Sequence, residues 1–329
     1  MYKVTQSDGF LNLSLNENYL SFCKEETLAL TNLNRYPNTE IYKQIEEEAG
    51  KLYGVNAQNI LLTNGSDDGI FLIQQWFTRN GGGSIIITNP TFSMYENYAN
   101  NLGLGVIKQN LDENLEINVP QLIEAITHNP NSAVFIPNPN SPTGSMLSLA
   151  TIEEILQTNT TIIIDEAYIE FSGEASATDL LGKYSNLIIL RTLSKFYGLA
   201  AVRIGFVMGG DAQNIKKFQA PFSVSSPNAE IALKTLRHIN NMAEISSFTK
   251  EFIQNRADFV QELQQKKNVV KIYETSANFV LFEVNNIEEV LKRFNGKKFL
   301  VKDFSGILPN TIRVSLATKE INEEILFCV

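Results

Sequence analysis

The 329-residue chain contains little of several residue types that mark particular protein classes. Its two cysteines, Cys23 and Cys328, are far apart and match neither a disulfide framework nor a metal-ligand spacing, so we expect a reduced, intracellular setting. Its two histidines, His128 and His238, lie outside every motif described below. This position argues against a histidine-based hydrolase and against a zinc site, and we predict no metal.

Long apolar runs and an excess of positive charge are also lacking. No uninterrupted apolar stretch approaches the roughly 20 residues of a membrane span, and the first ten residues do not resemble a signal peptide. Lys and Arg number 27 against 36 Asp and Glu, which disfavours nucleic acid as a partner. The dinucleotide-binding motif G-x-G-x-x-G does not follow any predicted strand, and the nucleotide-binding P-loop G-x-x-x-x-G-K-[ST] does not occur. We therefore predict a cytoplasmic protein that binds small molecules rather than membranes, nucleic acids or dinucleotides.

Short apolar runs, by contrast, recur and alternate with longer amphipathic segments. The runs are nearly continuously apolar, as strands are when helices cover both faces of a parallel sheet; they are residues 59–62, 84–88, 133–136, 161–164, 187–190 and 204–208. Helical candidates lie between them, at residues 41–53, 69–77, 119–127 and 152–157. The alternation predicts a large, doubly wound α/β domain with a mostly parallel sheet over residues 31–240.

The pattern changes beyond residue 240. Residues 229–262 predict one long helical region, followed by strand candidates at 279–284 and 311–316 and a helix near 287–294. We interpret residues 1–30 and 241–329 together as a second, smaller α+β domain.

Polar residues follow the strands of the large domain, where ligands of open α/β sheets bind. Asp165 ends one strand, and Lys195 follows the next strand thirty residues on. Gly65-Ser66-Asp67 opens a helix whose free amides suit a phosphate, and Ser194 and Arg203 could complete that phosphate site. Together these groups indicate a pyridoxal-phosphate site: a carboxylate can pair with the pyridinium nitrogen, a lysine can form the imine, and the helix start can hold the phosphate. Taken singly, Lys195 could be a solvated loop residue and Asp165 a helix N-cap.

Several ordered motifs resemble the fold-type I aminotransferases that depend on pyridoxal 5′-phosphate, and among these the histidinol-phosphate aminotransferases. The similarity extends from about Leu13 to Thr318. The segments that carry it are Leu33-Asn34-Arg35-Tyr36-Pro37, Asn64 to Ile70, Pro90 to Tyr95, Asp165 to Phe171, Arg191 to Lys195, Arg203 to Phe206, and Arg313 to Leu316.

The resemblance implies a role for each matching residue. Lys195 would hold the cofactor and move the substrate proton, Asp165 would keep the ring nitrogen protonated, and Tyr168 would bond the ring 3′-oxygen. Phe92 would stack on the ring. Gly65, Ser66, Asp67, Ser194 and Arg203 would surround the phosphate. Tyr36 would reach that phosphate from the neighbouring subunit of a homodimer, and Arg313 would bind the substrate carboxylate.

Two segments depart from the family pattern. The residue before Pro-Thr-Gly is usually an Asn that contacts the ring; here it is Ser141, with Asn140 beside it, and either residue is a candidate for the contact. The N-terminal signature usually reads Asn-Glu-Asn-Pro, whereas this chain has Asn16-Glu17-Asn18-Tyr19 after a short leader. We take Asn18 and Tyr19 as candidate substrate-binding residues.

The leading hypothesis is therefore a homodimeric aminotransferase that exchanges an amino group between a phosphorylated substrate and 2-oxoglutarate. Two alternatives stay open. One is a decarboxylase of a phosphorylated amino acid such as threonine phosphate, although a His-Gly-Gly signature near the N-terminus is missing. The other is a non-catalytic binding protein built on the same fold, which the Lys195–Asp165 pair argues against.

Overall fold

A computed structural model describes residues 9–23 and 34–329, so Leu33 of the motif at residues 33–37 lies outside the described residues. The helices are α1 Glu40–Tyr53, α2 Ser66–Arg79, α3 Met94–Leu102, α4 Val119–His128, α5 Leu149–Leu156, α6 Ala212–Lys216, α7 Ser226–Asn240, α8 Ile245–Leu263, α9 Ile287–Gly296 and α10 Lys319–Cys328. The strands are β1 Leu11–Asn12, β2 Ile60–Thr63, β3 Ser84–Asn89, β4 Gly105–Asn110, β5 Ser132–Pro137, β6 Thr161–Asp165, β7 Leu187–Thr192, β8 Gly205–Met208, β9 Val269–Ile272, β10 Phe279–Val284, β11 Phe299–Leu300, β12 Lys302–Asp303 and β13 Thr311–Ser315.

A seven-stranded sheet forms the centre of the large region, in the order β2-β8-β7-β6-β5-β3-β4. The neighbouring strands β3 to β7 pair in parallel, and the predicted α/β class is confirmed. The apolar runs become strands that are buried on both faces, because helices cover the two sides. Strand β4 was missed as a strand because, at the sheet edge, it alternates exposed and half-buried residues instead of forming an apolar run.

Strand β8 runs antiparallel to both of its neighbours, β7 and β2. Thr192 at the end of β7 pairs with Gly205 at the start of β8, so the connecting residues 193–204 stay at the carboxyl end of β7. In a parallel strand, residues just before β8 would lie at the opposite edge of the sheet. The reversal therefore places Arg203 at the same edge as Asp165 and Lys195.

A second sheet contains the antiparallel strands β12-β13-β10-β9, and β1 pairs with β11 beside it. Helices α8, α9 and α10 cover its apolar face, with Phe259, Phe282 and Phe294 among the buried side chains. The domain boundary near residue 240 stays a prediction. The single long helical region predicted for residues 229–262 is wrong in one respect: it is two helices, α7 and α8, separated at residues 241–244.

Among residues 9–23 and 34–329, no helix combines the length and apolarity that crossing a membrane would require.

Candidate active site

A cavity of about 690 Å³ lies where β5, β6 and β7 end, at Pro137, Asp165 and Thr192. This is the edge at which open α/β sheets bind ligands, and the volume suits a small molecule. Most of the predicted site residues line this one cavity: Ser66, Asp67, Phe92, Ser141, Asp165, Tyr168, Ser194, Lys195, Arg203 and Arg313.

Asp165 is the last residue of β6, and its side chain is buried with both oxygens engaged. The Tyr95 hydroxyl donates to Oδ2 at 2.8 Å, and the Ala167 amide donates to Oδ1 at 3.1 Å. Burial raises the pKa of Asp165 to about 6, although these two hydrogen bonds act in the opposite direction. The carboxyl group is thus charged at neutral pH and would gain a strong partner in a buried cation.

Lys195 lies in the connection after β7 and extends its amine into the cavity. Its Nζ donates to the Leu15 carbonyl oxygen at 2.8 Å and lies 5.6 Å from the centre of the Tyr168 ring. The Tyr168 hydroxyl in turn accepts from the Asn16 side-chain amide at 3.1 Å. Amine, phenol and carboxylate therefore face the same space, which is the arrangement that acid–base work on a bound cofactor requires.

The start of helix α2 and the Arg203 side chain form an anion cradle. Gly65 precedes the helix with φ of +80°, so the amides of Ser66 and Asp67 are free at the positive end of a 14-residue helix. The positive φ of Gly65 would strain any other residue, and a Cβ there would also lie 2.5 Å from an Arg203 nitrogen and displace the guanidinium. Arg203 also contacts Ser194 at 3.5 Å and the Asp67 carboxylate at 3.2 Å.

Asn140 and Ser141 occupy different environments. The Asn140 amide donates to the Pro90 carbonyl oxygen and to Thr143 at 3.2 and 2.9 Å, and its oxygen accepts from Thr91. Asn140 therefore holds two loops together, and it is absent from the cavity lining. Ser141 lines the cavity and accepts a hydrogen bond from Arg313 at 2.9 Å. Of the two candidates for the ring contact, Ser141 is the one placed at the cavity.

Besides Asn140 and Gly65, three predicted residues lie outside the cavity lining: Asn18, Tyr19 and Tyr36. Asn18 donates to the Phe196 carbonyl oxygen, and the Tyr19 hydroxyl donates to the Asn12 carbonyl oxygen. The Asn18 bond ties the N-terminal segment to the residue after Lys195, whereas the Tyr19 bond stays within that segment. Tyr36 is 81% exposed and stacks on Phe222 with ring centres 4.7 Å apart.

Among the cavity-lining residues to which the sequence pattern assigned no role, Tyr95 and Asn16 form hydrogen bonds with predicted site residues. Tyr95 stood within the matched segment Pro90 to Tyr95, three residues after Phe92. Phe92 precedes α3 and Tyr95 lies in its first turn, so their closeness in the chain was the only available signal that the two rings meet, edge to face at 5.6 Å. Asn16 stood within the N-terminal signature, but no sequence pattern indicates that its φ of 56° turns it toward Tyr168.

A buried ion cluster underlies this edge of the sheet. Arg191 of β7 donates to Glu166 at 2.6 Å and to Glu170 at 2.9 Å, with 6% or less of the Arg191 and Glu166 side chains exposed. Burial favours the neutral form of Arg191, but the carboxylates of Glu170 and Glu166 outweigh it and raise the pKa of Arg191. Since Glu166 follows Asp165 directly, the cluster fixes the chain at the cavity floor.

The residues present fit pyridoxal 5′-phosphate. An amide-and-guanidinium cradle suits its phosphate, a buried carboxylate suits its ring nitrogen, and an amine in the same cavity suits its aldehyde.

Comparison with known proteins agrees with this fit. The family model described as aminotransferase class I and II matches residues 9–326. The histidinol-phosphate aminotransferase of Francisella philomiragia is 34% identical, over 89% of this chain and 82% of the relative. That of Clostridium novyi is 33% identical, over 97% of this chain and 90% of the relative. The crystal structure of the histidinol-phosphate aminotransferase from Clostridium acetobutylicum superposes with a TM-score of 0.85, at 25% identity and 97% coverage of each chain.

The fold and the site thus define a pyridoxal-phosphate enzyme of fold type I. The chain belongs to the aminotransferase class I and II family. The predicted family, cofactor and enzyme class are confirmed, and the decarboxylase alternative is not favoured.

Proposed function

We propose that this aminotransferase acts on histidinol phosphate, with 2-oxoglutarate as amino acceptor, in the cytoplasm. The observation that carries the proposal is the convergence of Lys195, Asp165 and the α2 cradle on one cavity that also contains Arg313. The choice of substrate is supported by relatives named histidinol-phosphate aminotransferase at about a third identity over most of both chains.

The residues around the cofactor have separate proposed roles. The chemistry that pyridoxal 5′-phosphate supplies when bound is an electron sink for a developing carbanion. The Lys195 Nζ holds the cofactor and moves the proton at the substrate carbon that bears the amino group. The Asp165 carboxylate holds a proton at the ring nitrogen, and the Tyr168 hydroxyl donates toward the ring 3′-oxygen.

Around these groups, Phe92 packs on the ring, and Ser66, Asp67, Ser194 and Arg203 hold the cofactor phosphate.

Arg313 is proposed to bind both substrates in turn. Histidinol phosphate has no carboxylate beside its amino group, whereas glutamate has one beside its amino group and 2-oxoglutarate has one beside its keto group. A guanidinium forms paired hydrogen bonds with phosphate and with carboxylate alike, so one side chain serves both half-reactions. Arg313 is buried at the cavity wall, 4.9 Å from the Phe279 ring centre and bonded to Ser141.

A half-reaction assay tests the substrate. The holoenzyme is mixed with one amino donor at a time, and conversion of the bound cofactor to its amine form is followed by absorbance. We expect histidinol phosphate to react fastest, and histidinol, which has no phosphate, to react at least about tenfold more slowly through loss of one charged contact. Equal rates with the two donors would contradict the proposal. Release of carbon dioxide from threonine phosphate without an acceptor would instead favour decarboxylation.

We further propose a homodimer in which Tyr36 reaches the cofactor phosphate of the partner subunit. The supporting observation is that Tyr36 and Phe222 form an exposed aromatic pair away from their own cavity. Mixing and refolding Lys195→Ala with Tyr36→Ala provides the test. Hybrid dimers would rebuild one intact site from the two defective chains, so activity should exceed that of either variant. No gain in hybrids that mass measurement shows to be dimers would contradict a shared site.

A further inference from the structure

Tyr95 lies at the cavity without a part in the chemistry described above. It is in the first turn of α3, is fully buried, and lines the cavity beside Phe92. A buried phenol needs a partner for its hydroxyl. The partner here is Asp165, which makes the residue relevant to the cofactor ring.

The hydrogen bond between Tyr95 and Asp165 has a defined direction. The hydroxyl donates to Oδ2 of Asp165 at 2.8 Å, while the Ala167 amide donates to the other carboxyl oxygen. Two donors directed at one buried carboxyl group favour its charged form. Burial raises the pKa of the Tyr95 phenol well above its usual value, so Tyr95 remains a neutral donor over the range in which enzymes work.

Three further contacts hold Tyr95 in place. Its ring meets Phe92 edge to face at 5.6 Å and Phe135 at 5.3 Å. Its carbonyl oxygen accepts from the side chain of Gln74 in α2, the helix that begins at the phosphate cradle. Tyr95 is thus joined to the proposed ring-stacking residue, to the proposed ring-nitrogen partner and to the cradle helix.

We propose that Tyr95 is a positioning residue that keeps the Asp165 carboxylate charged and aimed at the ring nitrogen of the cofactor. The proposal rests on the role proposed above for Asp165, and the experiment below separates the two.

The groups around Asp165 decide whether its pKa rises or falls when the Tyr95 hydroxyl is removed. The titratable groups that act on Asp165 are Tyr95 of α3, Asp67 of α2 and the adjacent Glu166. Tyr168, Lys195 and Arg203 line the same cavity. Burial raises the pKa of Asp165 to about 6, the Tyr95 and Ala167 bonds lower it, and Asp67 and Glu166 raise it. Loss of the Tyr95 hydroxyl therefore raises the pKa further, and protonation then begins nearer to neutral pH.

The test is a titration of cofactor-free protein with pyridoxal 5′-phosphate from about pH 5.5 to about pH 8.5, in wild type and Tyr95→Phe. One hydrogen bond to a charged group is enough to move the acid limb of the affinity profile upward by about one pH unit. At pH 6 the charged fraction of Asp165 would fall from about half to about one tenth, so affinity drops about fivefold, whereas near pH 8.5 the two proteins agree.

A general disturbance of packing would weaken binding equally at every pH, and that result overturns the proposal. Tyr184→Phe is the matched control, because Tyr184 bonds Glu153 outside the cavity and its profile should coincide with that of wild type. Thermal unfolding checks that each variant is folded.

Asp165→Asn separates the two proposals. If Asp165→Asn leaves affinity and its pH profile unchanged, the role of Asp165 itself is wrong. If Asp165→Asn removes the acid limb but Tyr95→Phe does not move it, only the role of Tyr95 is wrong. We expect Tyr95→Phe to have no further effect on the pH profile in the Asp165→Asn background.

A stronger donor gives an independent test should Tyr95→Phe not fold. Difluorotyrosine installed at position 95 retains the ring and the hydroxyl but makes the phenol more acidic. The hydrogen bond to Asp165 then strengthens, and the acid limb should move to lower pH. A shift to higher pH, or no shift, would contradict the proposal.

Discussion

The two ends of the cavity differ in how the chain assembles them. The proposed cofactor end is formed by residues that mostly follow strands of one sheet: Ser66, Asp67, Asp165, Tyr168, Ser194, Lys195 and Arg203. The proposed substrate end is formed by Asn16, Ser141 and Arg313. Arg313 bonds the Ser14 carbonyl oxygen 299 residues away and Ser141 172 residues away. Groups that follow successive strands can be predicted from the strand pattern itself, whereas Ser141 and Arg313 were predicted only through the family resemblance and Asn16 was given no role.

The substrate end also depends on backbone groups of the N-terminal segment. The Ser315 hydroxyl donates to the Leu13 carbonyl oxygen, and the Asn278 side chain donates to that of Asn16. Carbonyl oxygens are present in every residue, so side-chain identity does not report these contacts. The difference between the two ends leads to four predictions, given from the largest expected effect to the smallest.

Replacing Lys195 should disable the cofactor end. In Lys195→Ala no amine remains to move the proton at the substrate carbon, and we expect turnover to fall about 10²- to 10⁴-fold. The visible absorbance of the bound cofactor should change as well. Steady-state assays measure the first effect and spectra the second. Lys183→Ala, at an exposed lysine, is the control. Turnover above a tenth of the wild-type value would show that position 195 is not catalytic.

Removing the cation beneath the cofactor end should destabilise the fold. Arg191→Met leaves the Glu166 and Glu170 carboxylates buried without their cation, at a cost of about 3–5 kcal/mol in the free energy of unfolding. Urea denaturation with linear extrapolation measures it. Lys183→Met removes a solvent-exposed ion pair and should leave the midpoint nearly unchanged. Equal midpoints for the two variants would mean that the buried cluster contributes little.

At the substrate end, Arg313→Lys should impair recognition more than folding. Lysine keeps the charge but loses the planar pair of donors, and one charged hydrogen bond is sufficient for a roughly 10- to 100-fold loss in kcat/KM. Kinetics with each substrate measure this loss, with the exposed Arg293→Lys as control. An unchanged kcat/KM would show that Arg313 does not bind the substrate.

The smallest expected effects distinguish two neighbouring asparagines. Asn16→Ala removes the bond to the Tyr168 hydroxyl and should lower kcat/KM about 2- to 10-fold. Asn18→Ala removes a bond to the Phe196 carbonyl oxygen outside the cavity lining, and its effect on kcat/KM should be smaller. Measuring kcat/KM of the two variants side by side tests this order. A larger loss in Asn18→Ala than in Asn16→Ala would show that Asn18 contributes to substrate binding.

The fold was predictable where burial dominates. Strands β3, β5, β6 and β7 are apolar on both faces, so their sequence pattern stands apart from that of the surrounding helices. Prediction failed where that signal weakens, at the edge strand β4 and at the break between α7 and α8. No Gly or Pro lies in the four residues of that break, and Asn241, a weaker marker of a helix end, is the only local signal there.

The sequence by itself determined the chemical groups of the cofactor end and their order along the chain, because residues that follow buried strands are brought to one edge of a sheet. Tertiary structure alone decided three further features: the reversed direction of β8, which brings Arg203 to that edge; the Tyr95–Asp165 bond; and the turn of Asn16 toward Tyr168. Each depends on contacts between segments that are distant in the chain, or on the direction of a strand. Residue type and local spacing do not encode either of these.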